Sequence, residues 1–388
     1  MPKSREKQRA RFELDKHFQI QLARACTLSL ALALGALGCA PVALPDGERR
    51  VALKGATDEV VLPTCAELSE RASELASQLE LLASDPDAAD LTGTRQVYRE
   101  VRDSLEEAQA FGFGPWEELH SAAALDQSPV DVAKLEAELG SDSELTPEHL
   151  RTLGANKRGL HALEYLLFPE DDAEWQSALL ADDVAGQRRR QFASAAGQLV
   201  ADAAEALRGA WDPETGGYAR RFSQPGAADS VSATVQGGLD TLLNQCVVLS
   251  EVVANVKLGK PLGATTGGSV DPSAQESGRA GTSLRDMLGN LRGVRNIYFG
   301  ARGAEASPSL STLVRAKSPS ADRHAREALS AAEAALEAVP EPLTLALSES
   351  PDSVRLAYDS LKTLKRVLAT EVLGSLGASL KFSDNDGD

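Results

Sequence analysis

Cysteine is scarce in this chain of 388 residues, which has four, at positions 26, 39, 65 and 246. No paired C-x-x-C motif is among them, so a zinc site built on cysteine is excluded. Histidine is nearly as rare: beyond His17 in the N-terminal segment there are only His120, His149, His161 and His324. No H-E-x-x-H segment sets two of these one helical turn apart, which removes the familiar zinc-protease arrangement. The nucleophile elbow G-x-S-x-G and the P-loop are also missing. Positive charge is short, with 40 Lys and Arg against 57 Asp and Glu and a net charge of -17. So acidic a surface is repelled by nucleic acid and by anionic membranes, and it draws cations. Finally, no segment alternates apolar and polar residues with period two over a useful length, which argues against a sheet.

The periodicity that is present is helical. Leu68, Leu75, Leu79 and Leu82 mark one face behind Pro63 and a capping box at Thr64 and Glu67. Val97, Val101, Leu105, Ala108 and Phe111 follow at steps of three and four. Short helices are expected over 130–139 and 146–153, the second with Pro147 in its first turn, and a longer one over 184–207. A loop over 211–227 holds Gly216, Gly217 and Pro225. After it Val231, Val235, Leu239, Leu242, Cys246, Leu249, Val253 and Val256 lie on one stripe of what reads as the longest helix. A Gly/Ser-rich connection over 265–281 leads to helices over 283–299, 321–339 and 353–376. The expected fold is all-α, with two four-helix-bundle-like domains at 58–210 and 228–388 joined by a linker at 211–227. Aromatic-glycine exits at 110–115 and 296–300 make a faint internal repeat.

Residues 1–38 read as a secretion signal. Lys3, Arg5, Lys7, Arg9, Arg11, Lys16 and Arg24 form a basic region, and the apolar stretch 25–37 is too short to span a membrane. It ends at Ala36-Leu37-Gly38-Cys39, which resembles a bacterial lipobox with Ala36 where Leu is usual. Cys39 is then expected to carry lipid at the head of a tether over 39–57. Removal of the signal takes away seven Lys/Arg and three Asp/Glu, leaving a charge of about -21. Attachment to a lipid bilayer would come from acyl chains alone. The expected location is the bacterial envelope, facing the periplasm, at the outer membrane. An oxidising compartment would offer Cys65 and Cys246 as a disulfide pair.

The most informative segment is 159–168, GLHALEYLLF. Spacing of three sets His161 and Glu164 side by side on one helix face, where an imidazole and a carboxylate can share a cation or a proton. The pattern G-x-H-x-x-E-Y-L-L, with Asn156 and Lys157 before it and Phe168 after it, resembles the signature of the imelysin-like family. That family comprises bacterial envelope proteins classed with metallopeptidases and linked to iron uptake. Phe111-Gly-Phe-Gly-Pro115 and Arg102 resemble its second helix, although Gln109 stands where the family commonly carries Glu. Residues 276–286 resemble its second-half motif, with Ala280 where Ser is usual, and the ending at 376–388 is similar as well. The resemblance covers the chain from about Cys65 to its end.

The resemblance implies two related helical bundles with a site between them. His161 and Glu164 would be its metal ligands, and Arg102, Glu276, Ser283 and Asp286 would line it. One histidine with carboxylates is a poor zinc set and suits iron, manganese or another oxygen-favouring cation. The favoured expectation is an envelope lipoprotein that binds a metal ion or a metal-bearing ligand, with iron-uptake components as partners and no nucleic acid. The alternatives are a metallopeptidase with Glu164 as general base, and a scaffold in which the pair is structural. Asp384, Asp386 and Asp388 lack the glycine and distal Glu of an EF-hand loop, so the tail reads as solvated acid.

Overall fold

Side-chain caps decide where several of the helices begin. Asp90, Asp183 and Thr234 each accept a hydrogen bond from the backbone N–H three residues on, which satisfies a donor that a helix start leaves open. A computed structural model of the protein describes residues 46–86, 89–168 and 178–380. Residues 1–38, read as a secretion signal, Cys39 and the acidic tail lie outside the described residues. Among the described residues every element is helical, as the periodicity predicts.

The main helices are α1 (Asp46–Ala56), α2 (Leu62–Ser84), α3 (Leu91–Ala108), α4 (Leu160–Leu167), α5 (Val184–Trp211), α6 (Val235–Glu251), α7 (Ser283–Phe299), α8 (Pro319–Glu337) and α9 (Pro351–Val367). α2 packs against α3 and α5, and α9 packs against α8 and α6. Apolar stripes drive this: α2 buries Leu68, Leu75, Leu79 and Leu82, and α9 buries Val354, Leu361 and Leu364.

The contact that matters for the site is α3 on α7. Gly289 and Gly293 of α7 face α3 so closely that an added Cβ would lie 2.9 Å from Glu106 Cβ and 2.5 Å from the Glu107 carbonyl oxygen. Only glycine lets the two backbones approach like this. The acidic face of α3 is thereby brought against α7 rather than against solvent.

Four local features differ from the sequence expectation. Residues 46–56, read as tether, form α1, which buries Leu53 against Gly238 of α6. α1 runs through a π-helical turn, Thr57–Val61, into α2, so Thr64 sits mid-helix, buried, and caps nothing. The longest uninterrupted α-helix among the described residues is α5, of 28 residues, whereas α6 starts only after Thr234 and leaves Val231 exposed. The segment 211–227 holds a short helix, Tyr218–Ser223, and a nest of aromatic rings. Wholly buried Trp211 packs there on Phe111, Phe113, Tyr218 and Phe222 at centroid distances of 5.9, 5.7, 4.8 and 6.1 Å. Cys65 and Cys246 are both free and buried; burial pushes both thiols up, that of Cys246 to about 12.

Candidate metal centre

α4 is buried on every side, and its first turn explains the glycine of the motif. Gly159 has φ +79°, and a Cβ there would lie 3.0 Å from the Leu125 carbonyl oxygen. The helix therefore starts hard against the short helix Ser121–Leu125, whose exit carries Asp126. Within α4, His161 Nδ1 lies 3.1 Å from Glu164 Oε2, and the backbone N–H of Ala280 donates to Glu164 Oε1 at 2.9 Å. On the other edge of the ring, Nε2 lies 3.2 Å from Asp126 Oδ1 and 3.5 Å from Glu276 Oε1. That nitrogen is buried without a hydrogen-bond partner. One ligating atom each from Asp126, His161 and Glu276 lies within 4.8 Å of the other two.

Arg102 of α3 occupies the middle of the cluster and is wholly buried. It pairs with Glu106 and Asp126, and its Nη2 reaches Asp286 Oδ2 at 2.7 Å and Glu276 Oε1 at 3.1 Å. Lys257, in the π-helical turn Val252–Leu258, lies 2.5 Å from Glu106 Oε2 and 3.2 Å from Glu276 Oε2. Asn290 donates to Glu106 Oε2 at 2.7 Å, and Gln109 donates to Asp126 Oδ2 at 2.9 Å. Five carboxylates, of which Glu106, Glu164 and Asp286 are buried and Asp126 and Glu276 partly so, thus gather around two permanent cations, Arg102 and Lys257, and the His161 imidazole.

The titrations follow. Burial pushes Glu106 up to about 8 against the pull of Lys257 and Arg102. Burial also works to raise Asp126, but Arg102 holds it low. Glu276 is held well below the ordinary range because Lys257, His161 and Arg102 outweigh its burial. His161 would be lowered by burial, yet the adjoining carboxylates of Asp126, Glu164 and Glu276 hold it well above its ordinary value.

A cleft of about 390 Å³ opens on this cluster. Asp126, Glu276, Lys257 and Gln109 form its polar end, and Trp116, Val248, Leu249 and Val252 its apolar wall. The Asp126 and Glu276 side chains, 8% and 17% exposed, are the carboxylates that reach it.

Of the residues singled out in the sequence, His161, Glu164, Arg102, Glu276 and Asp286 converge. Ser283 stands beside them in a supporting place, its hydroxyl donating to the Glu276 carbonyl oxygen and to Gln275 Oε1. Glu164 touches the Nδ1 edge of the ring, away from the Nε2 side where Asp126 and Glu276 meet it. Ala280 contributes through its backbone N–H. Sequence reasoning missed Asp126, Glu106, Lys257 and Asn290. Glu106 follows Arg102 by one helical turn and was within reach of the pairing rule; Asp126 and Lys257 lie in turns that no periodicity marks. Gln109 bridges Asp126 and Asn290 through its amide.

A family model described as Imelysin matches residues 61–368. Iron-regulated protein A of Synechococcus elongatus is 26% identical over 357 residues, covering 88% of this chain and 92% of that protein. The crystal structure of a Parabacteroides distasonis protein, provisionally called an iron-regulated protein A precursor, has a TM-score of 0.75 at 19% identity, covering 86% of this chain and 96% of that one. The structure of an imelysin-like protein from Psychrobacter arcticum has a TM-score of 0.69 at 18% identity, covering 87% and 98%. At such identities the two structures speak for the fold.

Proposed function

This chain belongs to the imelysin family, and on that footing we propose that it is an envelope lipoprotein of iron handling that holds a metal cation in the cleft on Asp126, His161 and Glu276. The observation that carries the reading is His161 Nε2, a buried nitrogen with no hydrogen-bond partner, set against two carboxylate oxygens. One imidazole nitrogen with two carboxylates suits iron or manganese better than zinc. A cation there would take the place of the His161 proton between Nε2 and the carboxylates of Asp126 and Glu276. The cleft beside Asp126 and Glu276 has room for solvent or a small ligand. The name of the cyanobacterial relative supports iron as the physiological metal.

The peptidase alternative asks Glu164 to take a proton from a metal-bound water. Both of its oxygens are engaged, by His161 and by Ala280, on the edge of the ring remote from Asp126 and Glu276, so no observation favours that role. Lipidation of Cys39 would tether the domain to a bilayer, and iron-uptake components remain the partners this reading implies.

Calorimetric titration of ferrous iron, manganese and zinc into the metal-free protein tests the site. We expect one ion per chain, and a loss of at least about tenfold in affinity for each of Asp126→Asn, His161→Ala and Glu276→Gln. Equal binding by wild type and all three variants would overturn the assignment. For the anchor, metabolic acyl labelling should mark the wild type and not Cys39→Ser; an unlabelled wild type in the soluble fraction would end that part of the reading.

A further inference from the structure

We infer that Glu164 is a positioning residue that sets the tautomer of His161 and ties its ring to the segment bearing Glu276. The purpose of this arrangement rests on the metal reading above, while the geometry stands without it.

An ionised carboxylate offers only acceptors. His161 Nδ1 makes a hydrogen bond with Glu164 Oε2 at 3.1 Å, whereas Nε2 makes none although Asp126 Oδ1 and Glu276 Oε1 lie 3.2 and 3.5 Å away, so the neutral ring carries its proton on Nδ1. In the neutral imidazole the lone pair then lies on Nε2, the atom that faces Asp126 Oδ1 and Glu276 Oε1. A histidine whose other nitrogen donates to a carboxylate is the form oriented for ligation.

The second oxygen of Glu164 makes the inference sharp. Oε1 accepts the backbone N–H of Ala280 at 2.9 Å, and a backbone N–H can only donate. An amide placed at 164 has one oxygen, which Ala280 claims. Its NH2 group is left facing His161 Nδ1. Glu164→Gln, nearly identical in volume, therefore turns Nδ1 into an acceptor, moves the ring proton to Nε2 and takes the lone pair away from Asp126 and Glu276.

The same carboxylate joins parts of the chain 116 residues apart. Ala280 follows Glu276 by four residues in a segment that turns through Ser277 at φ +54° and Gly281 at φ +67°. α4 grips this segment at two successive positions, since Arg279 also lies over the Tyr165 ring at 4.9 Å. The placement of Glu276 therefore depends on Glu164 although the two side chains need not touch.

The test is nitrogen NMR of histidine in the full-length, metal-free chain, at a pH high enough for the ring to be neutral, with His161 assigned by its loss in His161→Ala. The wild type should show the Nδ1–H tautomer and Glu164→Gln the Nε2–H tautomer. Zinc, as a diamagnetic probe, should bind the Gln variant ten- to a hundredfold more weakly. Exchange of the Ala280 amide should stay slow in Glu164→Gln and become fast in Glu164→Ala. An Nε2–H tautomer in the wild type overturns the inference without any variant. So does a folded Glu164→Gln that keeps Nδ1–H, whether it binds zinc normally or loses it, the latter marking Glu164 as a ligand. If the wild type binds no metal, the metal reading fails, and the tautomer exchange is still read in the metal-free protein.

Discussion

Arg102 shows how much of this molecule is decided by one side chain. It is buried among Glu106, Asp126, Glu276 and Asp286, and its planar fork can meet several carboxylates at once where a lysine could not. Arg102→Met should cost about 3–5 kcal/mol in urea denaturation at neutral pH, because it strands buried carboxylates, whereas Arg102→Lys should recover only part of that. The titrations add a second expectation. Glu106 and His161 both have folded values above their unfolded ones, so the folded state binds more protons than the unfolded chain above about pH 4.5. Their contribution is fully present below those unfolded values and is lost as pH rises through the folded ones. Asp126 and Glu276 are shifted the other way, and what they add is present above about pH 4.5 and lost in acid. The metal-free protein should therefore melt highest near pH 5 and lower at pH 8 to 9. Manganese, which must displace the His161 proton, should stabilise it more as pH rises; a metal-free melting point that climbs steadily from pH 5 to 9 would contradict this. His161 and Glu164 are legible in the sequence from their spacing, and Arg102, Glu276 and Asp286 from the family resemblance; Glu106, Asp126, Lys257 and Asn290 are not. Asp126 and Lys257 come from turns, and their meeting is settled by tertiary packing that no local pattern records.

At the scale of helices the sequence was more forthcoming, because apolar steps of three and four mark any helix with one buried face. The reading of 283–299 matches α7 to its ends, whereas the single helix read over 353–376 is α9 followed by a π-helical turn, Leu368–Val372, and a short helix, Leu373–Ser375. The short helix Leu310–Lys317, started by a capping box at Ser309 and Thr312, went unread, since a helix of two turns shows too few apolar steps to stand out. The π-helical turns were missed for a different reason: an i to i+5 turn leaves the apolar stripe intact while shifting its phase. Neither could the α3–α7 contact be seen, since a glycine in a helix reads as a weakness until its neighbour is known. Gly293→Ala tests it. The new Cβ would meet the Glu107 carbonyl oxygen at 2.5 Å and Ala110 Cβ at 2.9 Å, and backbone cannot yield as a flexible side chain can. The expected loss is about 1–3 kcal/mol, together with weaker manganese binding as Asp286 and Asn290 move off Arg102 and Glu106. Gly374→Ala is the control: it has nothing within 4 Å of the added atom, and should be neutral or stabilising by up to about 1 kcal/mol.

Across the whole molecule, the two connections expected to be loose differ in kind. The segment 211–227 is pinned by Trp211 and Phe222, both buried in the aromatic nest with Phe111 and Phe113. By contrast, residues 265–271 are exposed throughout, and Gly267 and Gly268 have open space where a side chain would stand. A protease needs several residues of backbone it can draw out, so the first cut should fall in 265–271 and not in 211–227. The nicked protein should stay whole in native gel filtration, because α3 and α7, on opposite sides of the cut, are packed together. It should also keep its manganese affinity, since every residue of the centre lies on one side or the other of the cut. Trp211→Ala changes the order of events. Removing a fully buried indole costs about 3–5 kcal/mol and frees the 211–227 segment, so a second cut should appear there at protease doses that leave the wild type nicked only once. Cleavage inside α5 or α6 of the wild type before either connection would contradict the helix boundaries, and fragments that part on native gel filtration after the first cut would show that the α3–α7 contact does not hold the halves.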